Sequence, residues 1–156
     1  PHRRNARRLE TVTASEPPDY VSMIHFSPKS SGFGELVPID FNSLPFVPKR
    51  VFHVSSVPVL EKRGVHAHRH CHQILFALAG NISVEVTNGV DTGEILLSEN
   101  YSGLHIPPMI WASQTYLTND SMLLVLASHG YSRADYIEDY EEFLRISGLP
   151  QPGLSR

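Results

Sequence analysis

Four of the chain's nine histidines fall on alternate positions within Arg63-Gly64-Val65-His66-Ala67-His68-Arg69-His70-Cys71-His72. Alternate side chains of an extended strand share a face, so His66, His68, His70 and His72 are expected along one wall. An unperturbed imidazole titrates near ~6.5, and a wall of them can move protons at neutral pH or, when neutral, ligate a metal. Three imidazoles at His66, His68 and His72 suit Fe, Ni, Cu or Zn with positions left open for substrate. A metal-free wall instead supplies a base for a carbon acidified by an adjacent ketone. The third reading is a set of surface or packing histidines.

The elements that must hold this wall read as short strands. Strand-like runs are expected at 21–26, 35–41, 50–54, 73–78, 82–87, 93–97, 103–106 and 122–128. Ser30-Ser31-Gly32, Leu44-Pro45, Ala79-Gly80-Asn81, Asn88-Gly89 and Pro107-Pro108 punctuate them, and Asn88-Gly89 is the strongest hairpin mark. Some eight strands at this spacing predict an all-β fold, a sandwich, jelly roll or small barrel. From Arg133 to Ile146 the spacing of Tyr136, Ile137, Tyr140, Phe143 and Leu144 turns helical. Ser132 is placed as N-cap, and Gly148 and Pro150 are the stop, so a short helix over about 133–146 should pack outside the sheets.

A chain of 156 residues, 41% hydrophobic and 19% charged, suits one globular domain. Residues 1–19 read as a flexible basic arm, 20–148 as the domain with its helix, and 149–156 as a tail. No apolar run approaches the roughly 20 residues of a membrane helix. One cysteine forbids an intrachain disulfide, and no secretory apolar core lies near Pro1, a residue that suits loss of an initiator methionine. A reducing cytoplasm is therefore expected. Arg3, Arg4, Arg7 and Arg8 account for four of 13 basic residues, leaving 9 against 16 acids and a net −7 beyond them. The body thus offers no basic surface for nucleic acid.

The spacing of Gly64, His66, His68, His72 and Gly80 resembles the first motif of a cupin, with His72 at the carboxylate's position. Ile106-Pro107-Pro108-Met109-Ile110-Trp111 gives the turn of the second motif, with Ala112 where its histidine would stand. Between about Gly32 and Phe143 the chain further resembles the cupin-type sugar-nucleotide 3,4-ketoisomerases. The stretches that carry this are Gly34-Glu35-Leu36-Val37-Pro38-Ile39, Leu44-Pro45-Phe46, Lys49-Arg50-Val51-Phe52, Arg63 to His68, Gly103-Leu104, Ile106 to Trp111, Val125-Leu126-Ala127-Ser128, Tyr131, and Asp135 to Tyr140.

That resemblance implies a cupin/jelly-roll β-sandwich acting on a dTDP-4-keto-6-deoxyhexose without metal or other cofactor, as a homodimer. It implies His66 and His68 as the proton-handling pair and Arg63 as a neighbouring charge. His53, His72, His105, Trp111, Phe33 and Arg50 are the expected substrate-binding positions. Several differ from the family's usual residue: His53 and His105 replace tyrosines, His72 a carboxylate, and Phe33 an arginine. These differences leave open the product's C4 configuration. A metal-dependent cupin using His66, His68 and His72, and a non-catalytic sugar-binding module, are the alternatives.

Overall fold

The computed structural model describes residues 16–148; most of the expected basic arm and the whole expected tail lie outside them. Twelve strands are present among the described residues: β1 Ser22–His25, β2 Lys29–Ser31, β3 Gly34–Leu36, β4 Arg50–Val54, β5 Lys62–His68, β6 Gln73–Ala79, β7 Ile82–Thr87, β8 Thr92–Leu97, β9 Ser102–Ile106, β10 Trp111–Tyr116, β11 Met122–Ala127 and β12 Tyr136–Ile137. One helix, α1 Tyr140–Ile146, follows. Two antiparallel five-stranded sheets, β1-β9-β6-β11-β4 and β12-β5-β10-β7-β8, form the sandwich, and β2-β3 is a separate hairpin.

Alternation explains the layers. Leu75, Ala77, Val84, Val86, Ile95, Leu104, Tyr116, Leu123 and Val125 point between the sheets and form the main core, where each large apolar side chain contributes about 1.5–3 kcal/mol. The opposite face of the first sheet carries Phe26, Ile74, Phe76 and Leu126, covered by Val37, Ile39, Leu44 and Phe46. Asn88-Gly89 does open a hairpin, as a four-residue loop from Thr87 to Thr92. The Asn88 side chain accepts from the amides of Val90 and Asp91, and Gly89 takes φ 95, as such loops favour.

The expected helix over 133–146 is corrected. Arg133–Asp135 is a 3-10 turn, Ser132 makes no side-chain cap, and Tyr136 and Ile137 pair with His68 and Ala67 of β5. Helical spacing here is a by-product: strand pairing and the Asp135 side chain both claim the segment. The helix begins four residues after Tyr136, at Tyr140, with Asp139 accepting from the Glu142 amide as N-cap, and Phe143 and Leu144 bury its inner face. The strand expected at 35–41 is also shorter, giving way to a 3-10 turn at Phe41–Ser43. β10 begins at Trp111, a segment without a clear alternating signal in the sequence.

Candidate active site

β5 supplies the centre of the site. His66 and His68 face inward while Ala67 packs beneath α1, so alternation holds to the end of the strand. The Nε2 atoms of His66 and His68 lie 3.0 Å apart, and Nδ1 of His68 lies 3.0 Å from a carboxylate oxygen of Asp135. Tyr136, set by its pairing opposite His68, places its ring 4.7 Å from His66 and 4.5 Å from His68, centroid to centroid. Asp135 also accepts from the amides of His70 and Cys71 at 2.8 and 3.2 Å. It therefore fixes both the bend after β5 and the His68 ring.

These bonds dictate the tautomers. A carboxylate only accepts, so His68 donates Nδ1–H to Asp135 and leaves its own Nε2 bare. His66 must then donate Nε2–H to that atom, which leaves the unprotonated Nδ1 of His66 as the basic end of the chain. Burial, then the neighbouring His68, pushes the His66 pKa down to about 4. Burial also lowers His68, with partial opposition from its bond to Asp135. Burial alone would raise Asp135, but its bonds from His70, His68 and Cys71 outweigh that and hold it low. At neutral pH the array is a carboxylate and two neutral rings.

A stability prediction follows. The unfolded chain binds a proton at His66 near pH 6.5, the folded chain only near 4, so between these values the unfolded state holds more protons. Stability should be complete above 6.5 and fall by up to about 3 kcal/mol as pH drops to 4. Thermal melts at pH 7 and pH 5 check this; an unchanged Tm would contradict the burial of a neutral His66.

A cavity of about 170 Å³ opens beside His66 between the sheets. β4 lines it with Arg50, Phe52 and Val54, β5 with Arg63 and Gly64, β6 with Gln73 and Leu75, β10 with Gln114 and Tyr116, β11 with Leu123 and Val125, and β12 with Tyr136. Arg63 reaches it through a bulge: His66 pairs with Ala112 but Arg63 with Gln114, so β5 carries an extra residue there. Gly64 permits this at φ 66, where a Cβ would collide with the Gln114 amide. The Arg50 guanidinium sits 4.6 Å from the Phe52 ring centroid and 5.3 Å from that of Tyr131. Neither Arg50 nor Arg63 pairs with a carboxylate among the described residues. Tyr116 is fully buried, and its hydroxyl has no partner among them.

Of the expected site positions, His66, Arg63 and Arg50 line this cavity, and His68 sits directly behind His66. The other five do not line it. β5 ends at His68, and the bend at Arg69-His70 breaks the two-residue beat. The single wall of four histidines is thus broken: His66 and His68 form a pair, His70 is exposed at the bend, and His72 turns to a different partner. His72 donates or accepts at 3.0 Å with His105, both rings near Phe46, because Leu104 and Ile106 take the inward positions of β9. His66, His68 and His72 do not converge as a three-nitrogen site among the described residues. His53 is exposed, since Phe52 and Val54 are the inward residues of β4. Trp111 packs against Tyr140 and Phe143 because Ala112, Gln114 and Tyr116 take the inward positions of β10. Phe33 is fully exposed on the β2-β3 hairpin. Cys71 is buried, with its sulfur close to His68 and Asp135. Asp135, Tyr136, Gln114 and Tyr116 were not among the expected site residues; each reaches the site by long-range pairing, and only the Asp135-Tyr136 dipeptide in the resemblance hinted at any of them.

The FdtA family (WxcM-like, C-terminal) matches residues 19–148. A TDP-4-oxo-6-deoxy-alpha-D-glucose-3,4-oxoisomerase from Aneurinibacillus thermoaerophilus is 34% identical over 122 residues, 78% of this chain and 88% of the relative. The crystal structure of QdtA, a sugar 3,4-ketoisomerase from Thermoanaerobacterium thermosaccharolyticum in complex with TDP, superposes with a TM-score of 0.81 at 31% identity, covering 83% of this chain and 96% of that one. WlaRA, a TDP-fucose-3,4-ketoisomerase from Campylobacter jejuni, gives a TM-score of 0.76 at 28% identity, covering 81% and 95%. The sandwich is therefore of the cupin type shared by these sugar isomerases. No helix among the described residues is long and apolar enough to cross a membrane.

Proposed function

This chain belongs to the FdtA family (WxcM-like, C-terminal), and from that premise we propose that it moves the keto group of a TDP-4-keto-6-deoxyhexose from C4 to C3. The observation that carries the reading is the Asp135-His68-His66 chain, which ends in one bare nitrogen beside a cavity with two unpaired arginines. The C4 ketone acidifies the C3 hydrogen, and His66 removes it as a proton while O4 gains one, giving the enediol. The O3 proton then leaves, C4 takes a proton from His66, and C3 becomes the ketone. Hydrogen is conserved and no external oxidant is needed. On protonation His66 is hydrogen-bonded to His68, whose other nitrogen faces the Asp135 carboxylate, so the new charge is balanced.

Arg50 and Arg63 supply fixed donors for the enediolate or the diphosphate, and the Tyr116 hydroxyl gains a sugar oxygen as partner. A cavity of about 170 Å³ is small beside the ~300–1,000 Å³ of whole-ligand pockets. Only the sugar enters, and the nucleotide lies across the rim near Tyr131. Residues 20–148 are the catalytic unit, in agreement with the extent of the family match. A homodimer would cover exposed Phe33, Leu36, Val47 and Val51, and the single cysteine suits a reducing cytoplasm.

Incubation with TDP-4-keto-6-deoxyglucose in deuterated water, followed by proton NMR, tests the function. The expected result is a 3-keto product with deuterium at the reacting carbons. Binding without exchange or product would instead make the domain a sugar-binding module.

A further inference from the structure

Behind the histidine pair, away from the substrate cavity, one nitrogen of His68, the Cys71 sulfur and a carboxylate oxygen of Asp135 lie within 4.8 Å of one another. We propose that these three groups form a binding site for a thiophilic divalent cation of the zinc class, and that its occupation switches the proton relay off. The donor set is selective: thiolate and imidazole suit zinc, cadmium or cobalt, whereas magnesium and calcium demand oxygen shells. Three protein ligands with the fourth position left to water is a regular zinc arrangement.

The electrostatics favour the site. A thiolate and a carboxylate neutralise a divalent ion, so the filled cluster carries no net charge into the interior. A second cavity of about 400 Å³, lined by His70, His129, Ser132 and Asp135 with Arg69 at its wall, touches the site at Asp135, while His68 and Cys71 lie buried behind it. The Arg69 charge is offset by Glu142 at 3.0 Å. Tetrahedral bonds near ~2.1–2.3 Å need donors about 3.3–3.8 Å apart, so closure from separations within 4.8 Å asks for approaches of about 1.5 Å or less between side chains.

Binding releases one proton, from the Cys71 thiol, and drives the neutral His68 ring from its Nδ1–H to its Nε2–H tautomer. With a metal on Nδ1, the His68 ring carries its one hydrogen on Nε2 and becomes a donor toward His66. His66 must then accept at Nε2 and hold its own proton on Nδ1, so the bare nitrogen facing the cavity is lost. This inhibitory consequence rests on the proposed isomerase function; the binding itself does not.

The test is a cobalt(II) titration of the metal-free full chain, paired with isomerase assays in zinc(II). Because Cys71 is the chain's only cysteine, a sulfur-to-cobalt charge-transfer band reports this site directly. Expected are one cobalt per chain with that band, no band in Cys71→Ser, and no response to magnesium. Zinc at ten times its dissociation constant should cut wild-type turnover roughly tenfold, while Cys71→Ser turns over normally and loses less than twofold. Absence of the band in wild type overturns the proposal, even if Cys71→Ser proves unfolded. Equal zinc inhibition of both proteins overturns the switching. If metal-free protein turns over no sugar nucleotide, the isomerase reading fails while the cobalt spectrum still decides the site.

Discussion

Substituting His66 by asparagine is expected to lower kcat by about 10²–10⁴-fold, the scale of losing a positioned general base. Asparagine keeps a side-chain donor toward Nε2 of His68 but has no nitrogen lone pair to take a proton from carbon. KM should change far less, because Arg50 and Tyr116 lie on other strands and Arg63 lies across the bulge of β5 from the substitution. Deuterium incorporation from solvent should fall in step with turnover, since both pass through the same enediol. A companion measurement separates chemistry from damage to the fold: the variant should lose less stability than wild type between pH 6.5 and 4, since its buried imidazole is gone. Turnover within tenfold of wild type, or exchange without turnover, would move the base elsewhere.

The readable part of this molecule was what local alternation controls. Runs such as 50–54 and 82–87 match β4 and β7 to the residue, because each strand has one face in the core and a one-residue slip would expose it. His66 and His68 share a face for the same reason. The histidine run misleads where alternation stops: Asp135 draws the His70 and Cys71 amides toward its carboxylate, and this bend turns His72 toward His105. Arg63 reaches the cavity through a bulge that local pattern does not announce, although Gly64 is its residue-level trace.

Long-range pairing accounts for the rest. Nothing near Asp135 in sequence indicates that it lies against a residue 67 positions earlier. Helical spacing from Tyr136 onward pointed to a different element altogether. Trp111 shows the limit from the other side: an aromatic beside a Pro-Pro turn is equally suited to pocket or core. Only the inward commitment of Ala112 and Gln114 assigns it to the packing under α1.

The second large effect is expected at Asp135, which acts on substrate only through His68. Asp135→Asn removes the negative charge that balances a protonated histidine pair. It also leaves one of the amide hydrogens of His70 and Cys71 facing an NH₂ group, whichever way the new amide turns. If the NH₂ faces His68, that ring is driven to carry hydrogen on Nε2, and the His66 lone pair toward the cavity disappears. If the oxygen faces His68, the tautomers survive but the carboxylate's upward pull on the His68 pKa is lost. Both orientations weaken the base, so kcat should fall by about 10²-fold with a smaller change in KM. A merely structural role would lower both activity and the yield of folded protein without moving the pH profile. The relay requires more: the acid limb of kcat should shift to lower pH in Asp135→Asn, and Asp135→Glu, which keeps the charge, should recover part of the rate. Nitrogen-15 shifts of His66 and His68 in wild type should report hydrogen on Nε2 of the first ring and on Nδ1 of the second. The opposite pair of tautomers would leave Asp135 as a clamp on the bend after β5 and nothing more.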